Sequence, residues 1–269
     1  MMQLVKELEV ALSSLRQIKP LVLCLTNVVT MDFVANSLLA LGAAPVMSQS
    51  LDELEELVSL SNAVYINIGT LDQAFCERAL YAVRLAKLQN KPLILDPVGA
   101  GASRLRNEAS NLLIPYVTII RGNASEILAL ADEANTTKGV ETSSSVGQAS
   151  MAAKRLAFHL QKIVVVSGPV DLITDGLDEV NLPFGSYLMP LITGMGCALT
   201  GVMAAFASLD LTVYKASLLA TAYFGLCGQQ SYQQTQELGS FKQLFVNALY
   251  KPDWALFNEI VIASQDEKN

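Results

Sequence analysis

Short apolar runs alternate along the chain with segments whose apolar residues recur at helical spacing. Residues 20–26, from Pro20 to Thr26, read as a strand, and Thr30 opens a helix with Val34, Leu38 and Leu41 on its apolar face. Gly42 ends that helix, and residues 45–48 form a short strand. Ser50 and Glu53 stand at capping-box spacing ahead of Leu54, Leu57 and Val58, which predicts a second helix. Residues 63–68 are again strand-like, and Cys76, Leu80 and Val83 mark the helix that follows. Residues 92–96 and 117–120 repeat the pattern, each with a helical segment behind it. Residues 162–167 and 171–174 predict two adjacent strands joined by a turn at Gly168 and Pro169, and from Ala198 onward nearly everything is helical. This rhythm defines an α/β protein with a largely parallel central sheet, helices on both faces and a helical C-terminal third.

The polar stretch 132–145 is the single low-complexity segment and reads as a surface loop, not a linker, so residues 1–269 are expected to form one domain. Charge adds an anomaly. Only 16% of residues are charged and 52% are hydrophobic, and two stretches, 181–209 and 216–236, carry no charge at all. Such a pair resembles a helical hairpin in a bilayer. The first stretch, however, is broken by Pro183, Gly185, Pro190, Gly194 and Gly196, leaving 198–209 as its helix, far short of the ~20 residues a span needs. Buried core helices are therefore expected, with no membrane partner. The amino terminus has charges inside its apolar periodicity and is not expected to be a signal peptide.

With 18 Lys plus Arg against 25 Asp plus Glu and no basic cluster, nucleic acid is excluded as an expected partner. His159 is the sole histidine, and Cys24, Cys76, Cys197 and Cys227 lack CxxC spacing, which removes zinc-finger and histidine-triad chemistry. His159 falls within a helical run, away from every strand end.

Open α/β sheets bind ligands beyond the carboxyl ends of their strands. There the chain offers Thr26 and Asn27, then Gly69 and Thr70, then the run from Asp96 to Gly101. Further on come Arg121, Asn123, Glu126 and Ser167, and finally the segment Thr193 to Cys197 entering a helix. Gly194 and Gly196 permit close backbone approach to an anion at a helix N-terminus, or alternatively tight helix–sheet packing. Cys197 is placed where a helix dipole lowers a thiol pKa, which would suit a base or nucleophile; a buried inert thiol is the other reading. Asp96 and Glu126 can hold Mg²⁺ directly or through water, together with substrate phosphates, or act singly as a loop cap and a first-turn carboxylate. Arg121 suits a phosphate or a solvated ion pair.

Five segments in order carry a further signal: CLTNVVTMDFVANSLLALGAAPVMS from Cys24, INIGTL, LILDPVGAGAS, IIRGNASEI and ITGMGC. Together they resemble the hydroxyethylthiazole kinases of thiamine salvage, in the ribokinase-like superfamily. The superfamily signature usually ends Gly-x-Gly-Asp; Cys197 stands at the Asp position, as is typical of the thiazole kinases. The resemblance implies a ribokinase-like fold and transfer of phosphate from ATP to 4-methyl-5-(2-hydroxyethyl)thiazole. It also implies thiazole contacts at Asn27, Met47 and Gly69, and a contact at Gly194 close to the reacting hydroxyl. Arg121 and Ser167 match ATP-contacting positions, and Asp96, Asn123 and Glu126 match the motifs that organise Mg²⁺ and phosphates. A cytoplasmic homotrimer with sites between subunits is implied as well. On this basis Cys197 orients the hydroxyl or weakly accepts its proton, while the amides of Gly194 to Gly196 hold the transferring group. A kinase of a hydroxymethylpyrimidine-type alcohol and a non-catalytic thiazole-binding or uptake component are the competing readings.

Overall fold

The computed structural model describes residues 2–134 and 146–266. Helix α1 (Met2–Ile18) leads into β1 (Leu21–Leu25), α2 (Met31–Leu41), β2 (Ala44–Val46), α3 (Leu54–Leu60), β3 (Ala63–Asn67) and α4 (Gln73–Leu88). β4 (Leu93–Asp96), α5 (Arg104–Leu113), β5 (Ile119–Asn123), α6 (Ala124–Ala134) and α7 (Val146–Leu160) continue the alternation. Then come β6 (Ile163–Ser167), β7 (Asp171–Thr174), β8 (Glu179–Leu182) and a 3₁₀ turn at Met189–Leu191. Four helices close the described chain: α8 (Met195–Ala207), α9 (Val213–Gln234), α10 (Leu238–Tyr250) and α11 (Trp254–Asp266).

Among the described residues the strands form one eight-stranded sheet in the order β2-β1-β3-β4-β5-β6-β7-β8. All pairings through β6 are parallel; β7 and β8 add an antiparallel edge. Successive side chains on a strand point to opposite faces, and the core divides accordingly. Val22, Cys24, Ala63, Tyr65, Ile94, Ile119, Ile163 and Val165 pack with α1, α2 and α8 to α11. Leu23, Leu25, Val64, Ile66, Leu93, Leu95, Ile120 and Val164 pack with α3 to α7. A sheet buried on both faces needs apolar residues at every strand position, and this absorbs part of the apolar excess.

The charge-free stretches are core helices. α8 is buried nearly all round, lying on β1, β3 and β4 with α2 and α9 against it, and a helix apolar on every side requires that setting. Among the described residues, no helix is long and apolar enough to cross a membrane.

Several local details differ from what the sequence led one to expect. β5 runs on through Arg121, Gly122 and Asn123, because these polar or small residues pair with Val165, Val166 and Ser167 of β6. The capping box at Ser50 is not formed: Glu53 takes a hydrogen bond from the Ser48 hydroxyl instead, and α3 starts without a side-chain cap. β8 went unrecognised because its edge position leaves Glu179 and Asn181 exposed, with no apolar run to signal it. α8 begins at Met195, three residues before its expected start, so Gly196 and Cys197 lie in its first turn. In the polar stretch, 132–134 belong to α6, and the rest of the expected loop, 135–145, lies outside the described residues.

Candidate active site

The strand order reverses at β1, since β2 lies on one side of it and β3 on the other. A crevice at the carboxyl ends of the strands is therefore expected between β1 and β3. Asn27 follows β1 and Asn67 ends β3, and the two side chains meet there. Asn27 Nδ2 donates to Asn67 Oδ1 at 3.0 Å and to Cys197 Sγ at 3.4 Å. Asn27 Oδ1 accepts from the amides of Val29 and Thr30, which turns the chain into α2. Gly69 abuts the same pair; a Cβ there would sit 2.9 Å from Asn27 Cβ and 3.0 Å from Asn67 Oδ1. Met47, just past β2, lines a neighbouring cavity of about 200 Å³ together with Thr26, Val28, Met31 and Phe75.

The next strand ends carry the charged groups. Asp96 closes β4 and is wholly buried. Its Oδ2 accepts from Asn67 Nδ2 at 2.8 Å and from Thr200 Oγ1 at 3.0 Å, and lies 3.7 Å from Arg121 Nη1. Its Oδ1 is buried with no hydrogen-bond partner among the described residues. Burial pushes the Asp96 carboxyl up to about 6, with Arg121 acting in the opposite direction and Glu126 adding to the rise. Arg121 Nη2 in turn donates to the Ser167 hydroxyl at the end of β6.

Arg121 also explains the glycine ahead of it in space. A Cβ at Gly196 would sit 2.5 Å from Nη1, 2.7 Å from Nη2 and 2.9 Å from Cζ of Arg121. The guanidinium is thus laid directly against the first turn of α8, whose early amides have no partner within the helix. Gly194 caps that helix with φ of 93°, a conformation that only glycine adopts freely, and sits tight against Thr30.

Glu126 is differently engaged. Its Oε2 accepts from the Asn123 amide at 2.8 Å while Asn123 Oδ1 accepts from the Glu126 amide at 2.9 Å, a reciprocal cap on α6. Its Oε1 accepts from Gly99 at 2.9 Å, tying the loop after β4 to α6. Among the described residues, no group of three or more His, Cys, Asp and Glu side chains is placed to hold a metal.

For Cys197 the structure favours the second of the two readings, a buried protonated thiol. Burial first, and then the Asp96 carboxylate, push its thiol above the ordinary value, so the helix dipole does not prevail and the thiol stays protonated at neutral pH. His159 lies in α7, within none of these contacts.

Three participants went unnoticed in the sequence: Asn67, Thr200 and Arg106. Arg106 on α5 donates to the carbonyls of Ile68 at 2.9 Å, Gly69 at 2.9 Å and Val98 at 2.6 Å, fixing the loops after β3 and β4. The one available signal was an asparagine inside the otherwise apolar strand 63–68.

Sheet order, switch-point crevice and a glycine-started helix at its rim make up a ribokinase-like α/β fold. The pyridoxal kinase of Staphylococcus aureus, solved with AMP-PCP and pyridoxal, shares this fold at a TM-score of 0.60 and 15% identity, over 78% of this chain and 88% of that one. The hydroxyethylthiazole kinase family model matches residues 12–253, and the chain belongs to that family. The hydroxyethylthiazole kinase of Chlamydia felis is 47% identical over 253 residues, 93% of this chain and 97% of that protein. The solved hydroxyethylthiazole kinase structure from Pyrococcus horikoshii matches with a TM-score of 0.86 and 34% identity, over 93% and 95% of the two chains.

Proposed function

We propose that this chain transfers the γ-phosphoryl group of ATP to the primary hydroxyl of 4-methyl-5-(2-hydroxyethyl)thiazole, supplying the thiazole phosphate to thiamine biosynthesis. The observation that carries this reading is the contact of the Arg121 guanidinium with Gly196. It gathers a positive charge, the first-turn amides of α8 and the buried Asp96 around one point, beside the pairing of Asn27 with Cys197.

Phosphoryl transfer depends chiefly on positioning and on stabilising charge at the transferring group. Arg121 and the amides of Gly194 and Gly196 face that charge, the Met195 amide between them being taken by the Ile192 carbonyl at 3.3 Å, and Ser167 and Asn123 extend the nucleotide side. Asn27, Gly69 and Met47 form the alcohol side, with the adjoining cavity, about 200 Å³, for the ring. Gly194, whose φ of 93° and tight contact with Thr30 exclude a side chain, starts the helix beside the reacting hydroxyl.

The unpartnered Asp96 Oδ1 suits Mg²⁺, which takes one or two carboxylates and fills its remaining positions with water and phosphate oxygens. When bound with ATP, the ion neutralises phosphate charge. Asp96 would hold it, and Glu126, with both oxygens already accepting amides, would reach it through water. Cys197, a protonated thiol, orients the substrate hydroxyl; it is too weak a base to remove the proton before transfer. A positioned base is worth roughly 10²–10⁴-fold, so this chain relies on placement for most of its rate.

Val28 and Val29, 59% and 67% exposed beside Asn27, leave an apolar rim that a neighbouring subunit would cover. We place at this rim the subunit contact of the homotrimer that the family resemblance implies. Phosphorylation of the thiazole alcohol and a hydroxymethylpyrimidine side by side, read by product mass, tests the substrate assignment. Phosphate appearing only on the thiazole is expected; preferential phosphorylation of the pyrimidine overturns it.

A further inference from the structure

Asn67 belongs to a strand whose five residues are all buried, and its neighbours in that strand are apolar or aromatic. A buried amide is retained at little cost only if its hydrogen-bonding capacity is used. Here all four positions are filled. Oδ1 accepts from the Gly69 amide at 2.9 Å and from Asn27 Nδ2 at 3.0 Å. Nδ2 donates to Asp96 Oδ2 at 2.8 Å and to the Tyr65 hydroxyl at 2.9 Å. The orientation of the amide is unambiguous, because a backbone N–H can only donate and an ionised carboxylate can only accept. Asn27 is fixed by the same logic: its oxygen faces two backbone amides, so its nitrogen must face Asn67 and Cys197.

The result is one continuous path, Cys197 to Asn27 to Asn67 to Asp96, running across the switch point from β1 to β4. One end lies on the side given above to the alcohol, the other on the side given to the phosphates. We infer that Asn67 is a positioning residue that sets the alcohol-side amide of Asn27 and the phosphate-side carboxylate of Asp96 in register with each other. This rests on the functional reading above and adds a residue that touches neither substrate in that reading. The two ends of its side chain have separable duties. The oxygen holds Asn27 and Gly69; the nitrogen holds Asp96.

Two variants divide those duties. Asn67→Asp keeps an oxygen for Gly69 and Asn27 but loses the donor to Asp96 and sets a second carboxyl beside it. Asn67→Leu, with the same branched arrangement of side-chain heavy atoms but more bulk, loses both ends. Misplacement by about 1 Å at a reacting centre costs roughly a hundredfold, and one hydrogen bond is worth up to roughly tenfold in binding. Asn67→Asp should therefore lower kcat by roughly a hundredfold with the thiazole KM within about twofold of wild type. Asn67→Leu should lower kcat similarly and raise the thiazole KM by roughly tenfold. A purely structural role would reduce the active fraction in both variants and leave the thiazole KM unmoved in each, and that pattern overturns the inference. So does an Asn67→Asp enzyme with kcat close to wild type. Should neither variant melt cooperatively, Asn67→Ser takes their place, since it leaves room for a bridging water. A lowered kcat with a raised thiazole KM then supports the inference, and wild-type constants overturn it. Wild-type enzyme is run alongside: if it shows no thiazole-dependent ADP release, the functional reading has failed, whatever the variants do.

Discussion

Replacing Gly196 by alanine adds one methyl group at the place where the helix start and Arg121 meet. That carbon would stand 2.5–2.9 Å from three guanidinium atoms, against roughly 3.5 Å for an ordinary contact. Since Gly196 sits in a regular helical turn of a buried helix, the guanidinium is the part that yields, by about 1 Å. Alanine is the better helix former by up to about 1 kcal/mol, which offsets part of the cost of moving a buried charge. The melting temperature should therefore stay within about 4 °C of wild type. Activity should not be spared. Displacing a charged donor from the transferring group costs roughly 10²–10³-fold in kcat, so kcat/KM for ATP should fall by about that factor. Thermal melting and coupled ADP-release kinetics on the same preparation read both quantities. An alanine variant with near-wild-type kcat/KM would refute the placement of Arg121 over the α8 amides. A loss of activity accompanied by an equal loss of folded protein would refute it as well.

Other substitutions test separate parts of the site. Cys197→Ala should cost less than about a hundredfold in kcat, because its protonated thiol is not the base, whereas Asp96→Ala should cost at least about a thousandfold; equal losses, measured by ADP release, would contradict the primacy of positioning. Asp171, which accepts from the Gly168 amide at 2.9 Å, is pushed up to about 6 by burial. Its folded pKa exceeds the unfolded value of about 3.9, so its ionisation costs stability as pH rises from about 4 and the whole cost, at most about 3 kcal/mol, is present above about pH 6. Asp171→Asn keeps the acceptor and removes the charge, so it should melt several degrees above wild type at neutral pH. That advantage should vanish below about pH 4, and pH-dependent melting curves that run in parallel would exclude it. Arg106→Met removes the donor to three carbonyls and should destabilise the fold by about 3 kcal/mol, visible as a lowered denaturation midpoint.

Much of the architecture was legible because a doubly covered parallel sheet imposes runs of apolar residues that few other settings tolerate. Strands such as Leu21–Leu25 and Leu93–Asp96 stood out for that reason. β8 did not, since an edge strand needs only half its side chains to be apolar. The end of β5 was misplaced because Arg121, Gly122 and Asn123 are poor strand formers held in line by β6, a tertiary effect that overrides propensity. The same distinction runs through the site. Residues at strand ends could be picked out from position alone, so Asn27, Gly69, Asp96, Arg121, Asn123 and Ser167 were visible as a set, and Gly194 from its place before a helix. Their pairings were not. Nothing local shows that Gly196 makes room for Arg121, or that Glu126 reaches beyond its own cap to Gly99. The pKa direction of Cys197 stayed open in the sequence because the helix dipole is readable there, while burial and the Asp96 charge belong to the folded state. Asn67 and Arg106 act by tying segments together, a role with no motif. The apolar excess is absorbed in part by the two-sided sheet and by α8 and α9 in the core.

The most direct test of the central claim is ADP release by the purified chain with each of three components omitted in turn: 4-methyl-5-(2-hydroxyethyl)thiazole, ATP and Mg²⁺. Turnover that requires all three, with one thiazole phosphate formed per ADP, is the expected result. ADP release that proceeds equally without the thiazole, or no release with all three present, would contradict it.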